Sequence, residues 1–264
     1  NPSNPAGIRV NPGAGLGYRR NSLLEYSGKV PSKFGIYRSR FCEALELAQK
    51  YGLRIEGIHF HCGCGYLTPQ LRKFDRILNR IEVFLDSAWD IRWINIGGGL
   101  GIPLVKEDQP INLELWAGIL KKHFAGRNIE VWVEPGDYIV KDSGILVLQV
   151  NTVEEKEGVV FAGVNGGFNI HIEPAFYNLP LHVVPCRIRD GKPCRVTIAG
   201  NINEALDIMA RDVLLPPVEE GDYLAFINAG GYGSSMSSDH CCRGRFAERV
   251  IRGPHISYEK SSPE

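Results

Sequence analysis

The chain has 264 residues, 44% hydrophobic and 23% charged, enough apolar material for one large α/β domain or two of medium size. Its 30 lysines and arginines equal its 30 aspartates and glutamates, which excludes the basic excess of a nucleic-acid or anionic-membrane partner and points to a small ligand. No apolar run approaches the roughly 18 residues of a membrane span, no signal-peptide order opens the chain, and seven irregularly spaced cysteines favour reduced thiols, so a cytoplasmic location is expected.

The opening Asn1-Pro-Ser-Asn-Pro5 reads as loop, as in a piece of a longer protein. Residues 8–12 form a short strand stopped by Pro12, followed by the glycine-rich 13–17. Phe41, Ala44, Leu45 and Ala48 then mark one face of a helix over 37–52 that Gly52 ends. Gly57-Ile-His-Phe-His-Cys-Gly63 is a second strand, and Leu71, Phe74, Leu78, Ile81, Leu85 and Ala88 step by three and four along the next helix. Trp93-Ile-Asn-Ile-Gly-Gly-Gly-Leu-Gly101 is a third strand opening into bare backbone. A helix marked by Leu113, Trp116, Ala117, Leu120 and Phe124 precedes a fourth strand, Glu130-Val-Trp-Val-Glu-Pro-Gly136.

These four strands end in polar or glycine residues, at Asn11, His61, Gly97 to Gly99 and Glu134, which is where a parallel barrel keeps its chemistry. Such a barrel needs eight strands, and its phosphate loop usually follows the seventh or eighth. Residues 1–143 are therefore expected to be the C-terminal half of a TIM-type β/α barrel, strands five to eight, with the first half preceding Asn1. From 144 to 264, β-rich segments at 145–151, 159–164, 194–199 and 223–228 predict an all-β domain.

Gly97, Gly98 and Gly99 leave successive backbone N–H groups free to converge on an anion such as phosphate, although a plain turn carries the same signature. His59 and His61 lie on one face of their strand, with Cys62 and Cys64 near. A metal would need a second ligand cluster that the sequence lacks, so a cofactor-facing His61 is preferred to a metal site and to a histidine without a role. Glu134 stands one β/α unit beyond the glycine loop, where a carboxylate could hold a protonated pyridine nitrogen; alone it would read as a solvated loop acid.

In order, Ser32-Lys-Phe-Gly35, His59-Phe-His61, Gly97-Gly-Gly99, Glu134-Pro-Gly136, Glu173-Pro-Ala-Phe-Tyr177 and Ala229-Gly-Gly-Tyr-Gly-Ser-Ser-Met-Ser-Ser238 resemble the diaminopimelate and ornithine decarboxylases. These are pyridoxal-phosphate enzymes of fold type III, and the resemblance runs over residues 8–251. It implies pyridoxal 5'-phosphate with His61 stacked on its ring and Gly97, Gly98 and Gly99 at its phosphate. Glu134, in the turn closed by Gly136, would face the pyridine nitrogen, and Tyr232 and Cys64 would reach the phosphate, Cys64 in place of a usual serine. It also implies loss of carbon dioxide from an amino acid, a homodimer with shared active sites, and a cofactor-bonding lysine ahead of Asn1.

Three positions depart from the family pattern. Asp137 and Glu173 stand where the family has arginines, and Asn203 stands where a cysteine, supplied across the dimer interface, precedes Glu204. Asp137, Glu173 and Glu204, with Tyr177, are therefore expected on the substrate side, in an acidic pocket suited to a cationic end. Lysine, ornithine or a guanidino amino acid fits this better than diaminopimelate. An amide is no acid, so Asn203 leaves that catalytic position without its usual proton donor. The alternative reading is a non-catalytic homologue acting as a regulatory or binding partner; a racemase on the same barrel is third. Half a barrel is expected to expose strand edges and to dissolve poorly alone. Whether Cys241 and Cys242 do more than pack is not legible in the sequence.

Overall fold

Alternation along short apolar strands sets two faces, one for helices and one for the strand ends' chemistry. The computed structural model describes residues 4–28, 30–88, 90–244 and 246–251. The chain divides into two compact units, one built from residues up to 145 with 180–182 and 226–231, the other from 146–179, 183–225 and residues from 232 on. No helix among the described residues is long and apolar enough to cross a membrane.

The first unit carries an all-parallel sheet of β1 (Pro5–Asn11), β2 (Ile36–Tyr37), β3 (Arg54–His59), β4 (Trp93–Asn95) and β5 (Glu130–Trp132), in the order β2-β1-β3-β4-β5. Ile8, Ile58 and Ile94 stand in register and are buried in one core with Phe41 of α1 (Arg38–Lys50), Phe74, Ile77 and Ile81 of α2 (Leu71–Asp86) and Phe124 of α3 (Leu113–Phe124). On the other face Gly7, Gly57 and Trp93 form the adjacent row. The indole of Trp93 lies over both glycines, where a methyl on Gly57 would come within 2.1 Å of it, and stacks at 4.5 Å on Trp132. Two missing side chains on β1 and β3 thus make room for one large one on β4, as the inner layers of a barrel require. The next row on that face is Arg9, His59, Asn95 and Trp132, directly below the strand ends.

This is the half-barrel expected, with one strand more than the sequence shows. The two residues of β2 are too few for a periodicity signal. They are set by the buried Asn11, whose Nδ2 donates to Ser32 Oγ (3.0 Å) and Phe34 O (2.7 Å), and by Gly35 at φ +68°, close against Val10. The fourth expected strand is also shorter than predicted: β5 ends at Trp132, and Glu134 lies in the loop beyond it.

The second unit is built on a six-stranded sheet in the order β10-β9-β7-β6-β11-β8. Its strands are β6 (Ile145–Lys156), β7 (Val159–Val164), β8 (His182–Pro185), β9 (Cys194–Ala199), β10 (Ile208–Leu215) and β11 (Tyr223–Ile227). β6 and β7 form an antiparallel hairpin through Glu157 and Gly158, both at positive φ, while β7 and β9 run parallel. β8 and β10 were not legible as strands. In β10 the register slips twice and Asp212 sits at φ +54°, so hydrophobic alternation is broken. A short helix, α5 (Glu173–Tyr177), interrupts the β-rich run.

Candidate functional site

Beyond the strand ends of the first unit, loop backbones are stitched into one mesh. Leu16 and Tyr26 N–H both reach Cys62 O, at 2.8 and 3.3 Å, and Tyr18 N–H reaches Cys64 O at 3.0 Å. Tyr66 N–H donates to Gly99 O, and Gly101 N–H returns to Tyr66 O, each at 3.0 Å. Where these backbones cross, a Cβ has no room: a methyl on Gly99, at φ +94°, would sit 1.9 Å from Gly63 O. One on the buried Gly98 would sit 2.2 Å from Glu134 O. The glycine triplet is thus positioned by the loops after β3 and β5 as well as by its own strand.

Asn95, on the face of β4 away from the helices, joins the triplet to the acid. Its Oδ1 accepts from Gly97 N–H at 2.9 Å and its Nδ2 donates to Glu134 Oε1 at 2.7 Å. Glu134 N–H also donates to Gly97 O at 3.0 Å. The Glu134 side chain is 51% exposed, with His59 Nε2 3.8 Å from its carboxylate. Burial lowers the pKa of His59 from its ordinary value against the pull of Glu134.

His61 extends the same face. Its Nδ1 accepts from Gly63 N–H at 3.2 Å, which puts the ring proton on Nε2. Burial first, then Arg9, pushes its pKa down to about 4, so His61 presents a neutral planar ring at neutral pH. Tyr26 tilts against that ring at 4.8 Å, and its hydroxyl accepts from Cys64 Sγ at 3.2 Å. Asn95 and Tyr26 were not singled out from the sequence. Asn95 could have been, because alternation along β4 puts it on the same face as Trp93. Tyr26 could not, since loop closure alone brings it to His61.

The remaining residues divide between the units. In the first, Gly136 caps α4 (Asp137–Val140), and Asp137 Oδ2 lies 3.4 Å from the ammonium of Lys141, which is 2% exposed. Asp137 is thus beside a buried cation rather than an isolated charge. In the second, the buried Glu173 opens α5, 3.5 Å from His171 Nε2, and Tyr177 closes that helix. Tyr232, at φ +59°, accepts at its carbonyl from Met236 N–H at 3.2 Å. Asn203 and Glu204 stand exposed on the loop between β9 and β10. Cys241 Sγ donates to Asn203 Oδ1 at 3.2 Å, and His240 Nε2 is 3.9 Å from Glu204 Oε1.

Residues 66–230 match the model of a family described as "Pyridoxal-dependent decarboxylase, C-terminal sheet domain". The chain belongs to the pyridoxal-dependent decarboxylase family. Among its relatives, the diaminopimelate decarboxylase of Methanothermobacter thermautotrophicus is 35% identical over 93% of the chain and 59% of that protein. That of Aquifex aeolicus is 33% identical over 94% of the chain and 59% of that protein. The crystal structure of diaminopimelate decarboxylase from Helicobacter pylori complexed with L-lysine superposes with a TM-score of 0.78 at 26% identity, over 94% of the chain and 62% of that structure. The chain thus spans about three-fifths of the length of the curated relatives it matches.

The first unit fits the cofactor of this family, pyridoxal 5'-phosphate. Its glycine loop lets neighbouring backbones pass in contact, His61 supplies a neutral flat ring, and Glu134 supplies a half-exposed carboxylate aimed by Asn95.

Proposed function

We propose that the chain is the cofactor-holding part of a pyridoxal-phosphate amino-acid decarboxylase that acts on a diamino acid or another basic amino acid. The observation that carries this is the pair of hydrogen bonds made by Asn95: one amide ties Gly97 N–H and the Glu134 carboxylate into a fixed spacing. In this reading Gly97, Gly98 and Gly99 take the phosphate, with Cys64 and Tyr232 as further contacts. His61 would pack on the ring, Glu134 would keep the pyridine nitrogen protonated, and Gly136 would fix the turn that holds Glu134. When bound, the cofactor draws off the electrons left on the substrate's α-carbon as carbon dioxide departs. Asp137, Glu173, Tyr177 and Glu204 are the proposed substrate-side residues, with Asn203 at the proton-handling position.

Asp137 has the Lys141 ammonium at 3.4 Å, while Glu173 and Glu204 face His171 and His240 at 3.5 and 3.9 Å, imidazoles that offset a carboxylate only when protonated. In this proposal the carboxylates suit a substrate with a cationic end. A homodimer with shared sites completes the proposal, by likeness to the family. The test is carbon dioxide release by the full-length protein, loaded with pyridoxal phosphate, from diaminopimelate, lysine, ornithine and arginine. Release from at least one is expected. Cofactor absorbance without release from any would overturn it in favour of a non-catalytic homologue.

A further inference from the structure

The loop carrying Asn203 and Glu204 is met by a second segment at two adjacent points. Cys241 Sγ bonds Asn203 Oδ1 at 3.2 Å, and His240 Nε2 faces Glu204 Oε1 at 3.9 Å, so neighbours on one segment address neighbours on the other. That second segment is itself anchored. The His240 ring packs on Phe168 at 4.9 Å, Phe168 N–H donates to Asp207 Oδ1 at 2.7 Å, and Ser238 N–H donates to Asn169 O at 2.8 Å. Asp207 closes the circuit by taking Ile202 N–H on its other oxygen at 2.7 Å, one residue before Asn203. Cys241 reaches Asn203 from a left-handed backbone, φ +56°, a conformation that a β-carbon makes costly and that the surrounding contacts must hold.

We propose that His240 and Cys241 are positioning residues for Asn203 and Glu204. The thiol donates to the amide oxygen, so the amide cannot turn over and its Nδ2 hydrogens are presented outward as donors. The imidazole lies beside the Glu204 carboxylate, its Nε2 3.9 Å from Oε1. Cys241 has no role legible in the sequence, and in this arrangement it decides which end of Asn203 a ligand meets. This inference rests on the decarboxylase reading for its consequence in catalysis, but the contact itself can be tested without it.

The first test uses resting full-length protein without cofactor and follows alkylation of Cys241 by iodoacetamide with mass spectrometry. Cys241 Sγ is held against Asn203 Oδ1, so N203A, which removes that partner and frees the thiol to turn to the reagent, should speed alkylation of Cys241 severalfold and leave Cys242 unchanged. An unchanged Cys241 rate would overturn the proposal. The second uses the cofactor-loaded enzyme. C241A should lower kcat on the order of tenfold to a hundredfold with cofactor absorbance retained. C241S, which keeps an O–H donor, should stay within about threefold of wild type, and the exchange N203C/C241N should recover most of the loss in C241A. C241S as impaired as C241A, or C241A as active as wild type, would overturn it. A wild type that alkylates as expected but releases no carbon dioxide would instead sink the decarboxylase reading and leave the contact standing.

Discussion

In the first unit the loop carrying Gly97 to Gly99 is held by backbones in contact, whereas in the second the loop carrying Asn203 and Glu204 hangs from the buried carboxylate of Asp207. The first arrangement depends on absent side chains: a methyl on Gly99, Gly63 or Gly101 would overlap a neighbouring loop, at 1.9, 1.8 and 2.6 Å. The second depends on one buried carboxyl group that fills the space beside Gly167 and Gly200, where a methyl would come within 2.3 and 2.2 Å of its oxygens. Steric contact has no pH dependence. A buried carboxylate does, so the two loops should respond differently to mutation and to acid.

The largest effect is expected from Gly99→Ala. Its positive φ and the overlap with Gly63 O cannot both be relieved without moving two loops, a cost of about 3 kcal/mol or more. Thermal unfolding should fall accordingly and cofactor absorbance should be lost; a variant that unfolds and binds like wild type would show that the mesh is not rigid.

Asp207→Asn comes next. It replaces one of two acceptors by an NH2 group facing a backbone N–H, at about 2 kcal/mol. Burial raises the pKa of Asp207 above its ordinary 3.8, so the folded state holds the proton more tightly than the unfolded one. Its contribution is therefore fully present below about pH 3.8 and declines as pH rises through the raised folded value. Denaturant unfolding across that range should show this decline in wild type and a flatter profile in Asp207→Asn. Equal slopes would remove Asp207 as the titrating group.

A smaller effect is expected from Asn95→Ala, which frees both Gly97 N–H and the Glu134 carboxylate. Cofactor affinity should fall about tenfold, or ~1.4 kcal/mol, with little change in unfolding. An unchanged affinity would mean that Glu134 is aimed by something other than Asn95.

The smallest is a titration. The folded pKa of His61 lies below its ordinary 6.5, so the stability that its neutral ring contributes is present above pH 6.5 and is lost as pH falls through about 4. Ring proton shifts followed by NMR should stay those of neutral imidazole down to pH 5. A midpoint near 6.5 would show that the pocket is wetter than the packing of His61 implies.

Much of the architecture was legible because it depends on local periodicity. Steps of three and four along α2 and alternation through Ile8, Ile58 and Ile94 place the helices on one face of a parallel sheet wherever those strands pair. The positions of the glycine triplet, His61 and Glu134 just past strand ends were legible as well, because an apolar strand gives out before each. β2, β8 and β10 were not, being two residues long, four residues long and broken by a left-handed aspartate.

The sequence by itself determined which residues could bury, which strands could begin and end, and which backbone positions needed glycine. Those depend on side-chain volume, hydrophobicity and φ, all local properties. Only the tertiary structure decided that Asn95 bridges the glycine loop to Glu134, that Tyr26 lies on His61, and that Cys241 meets Asn203. Hydrogen bonds and ion pairs act over about 3–4 Å between residues as far apart in sequence as Asn203 and Cys241, a separation that no local pattern encodes.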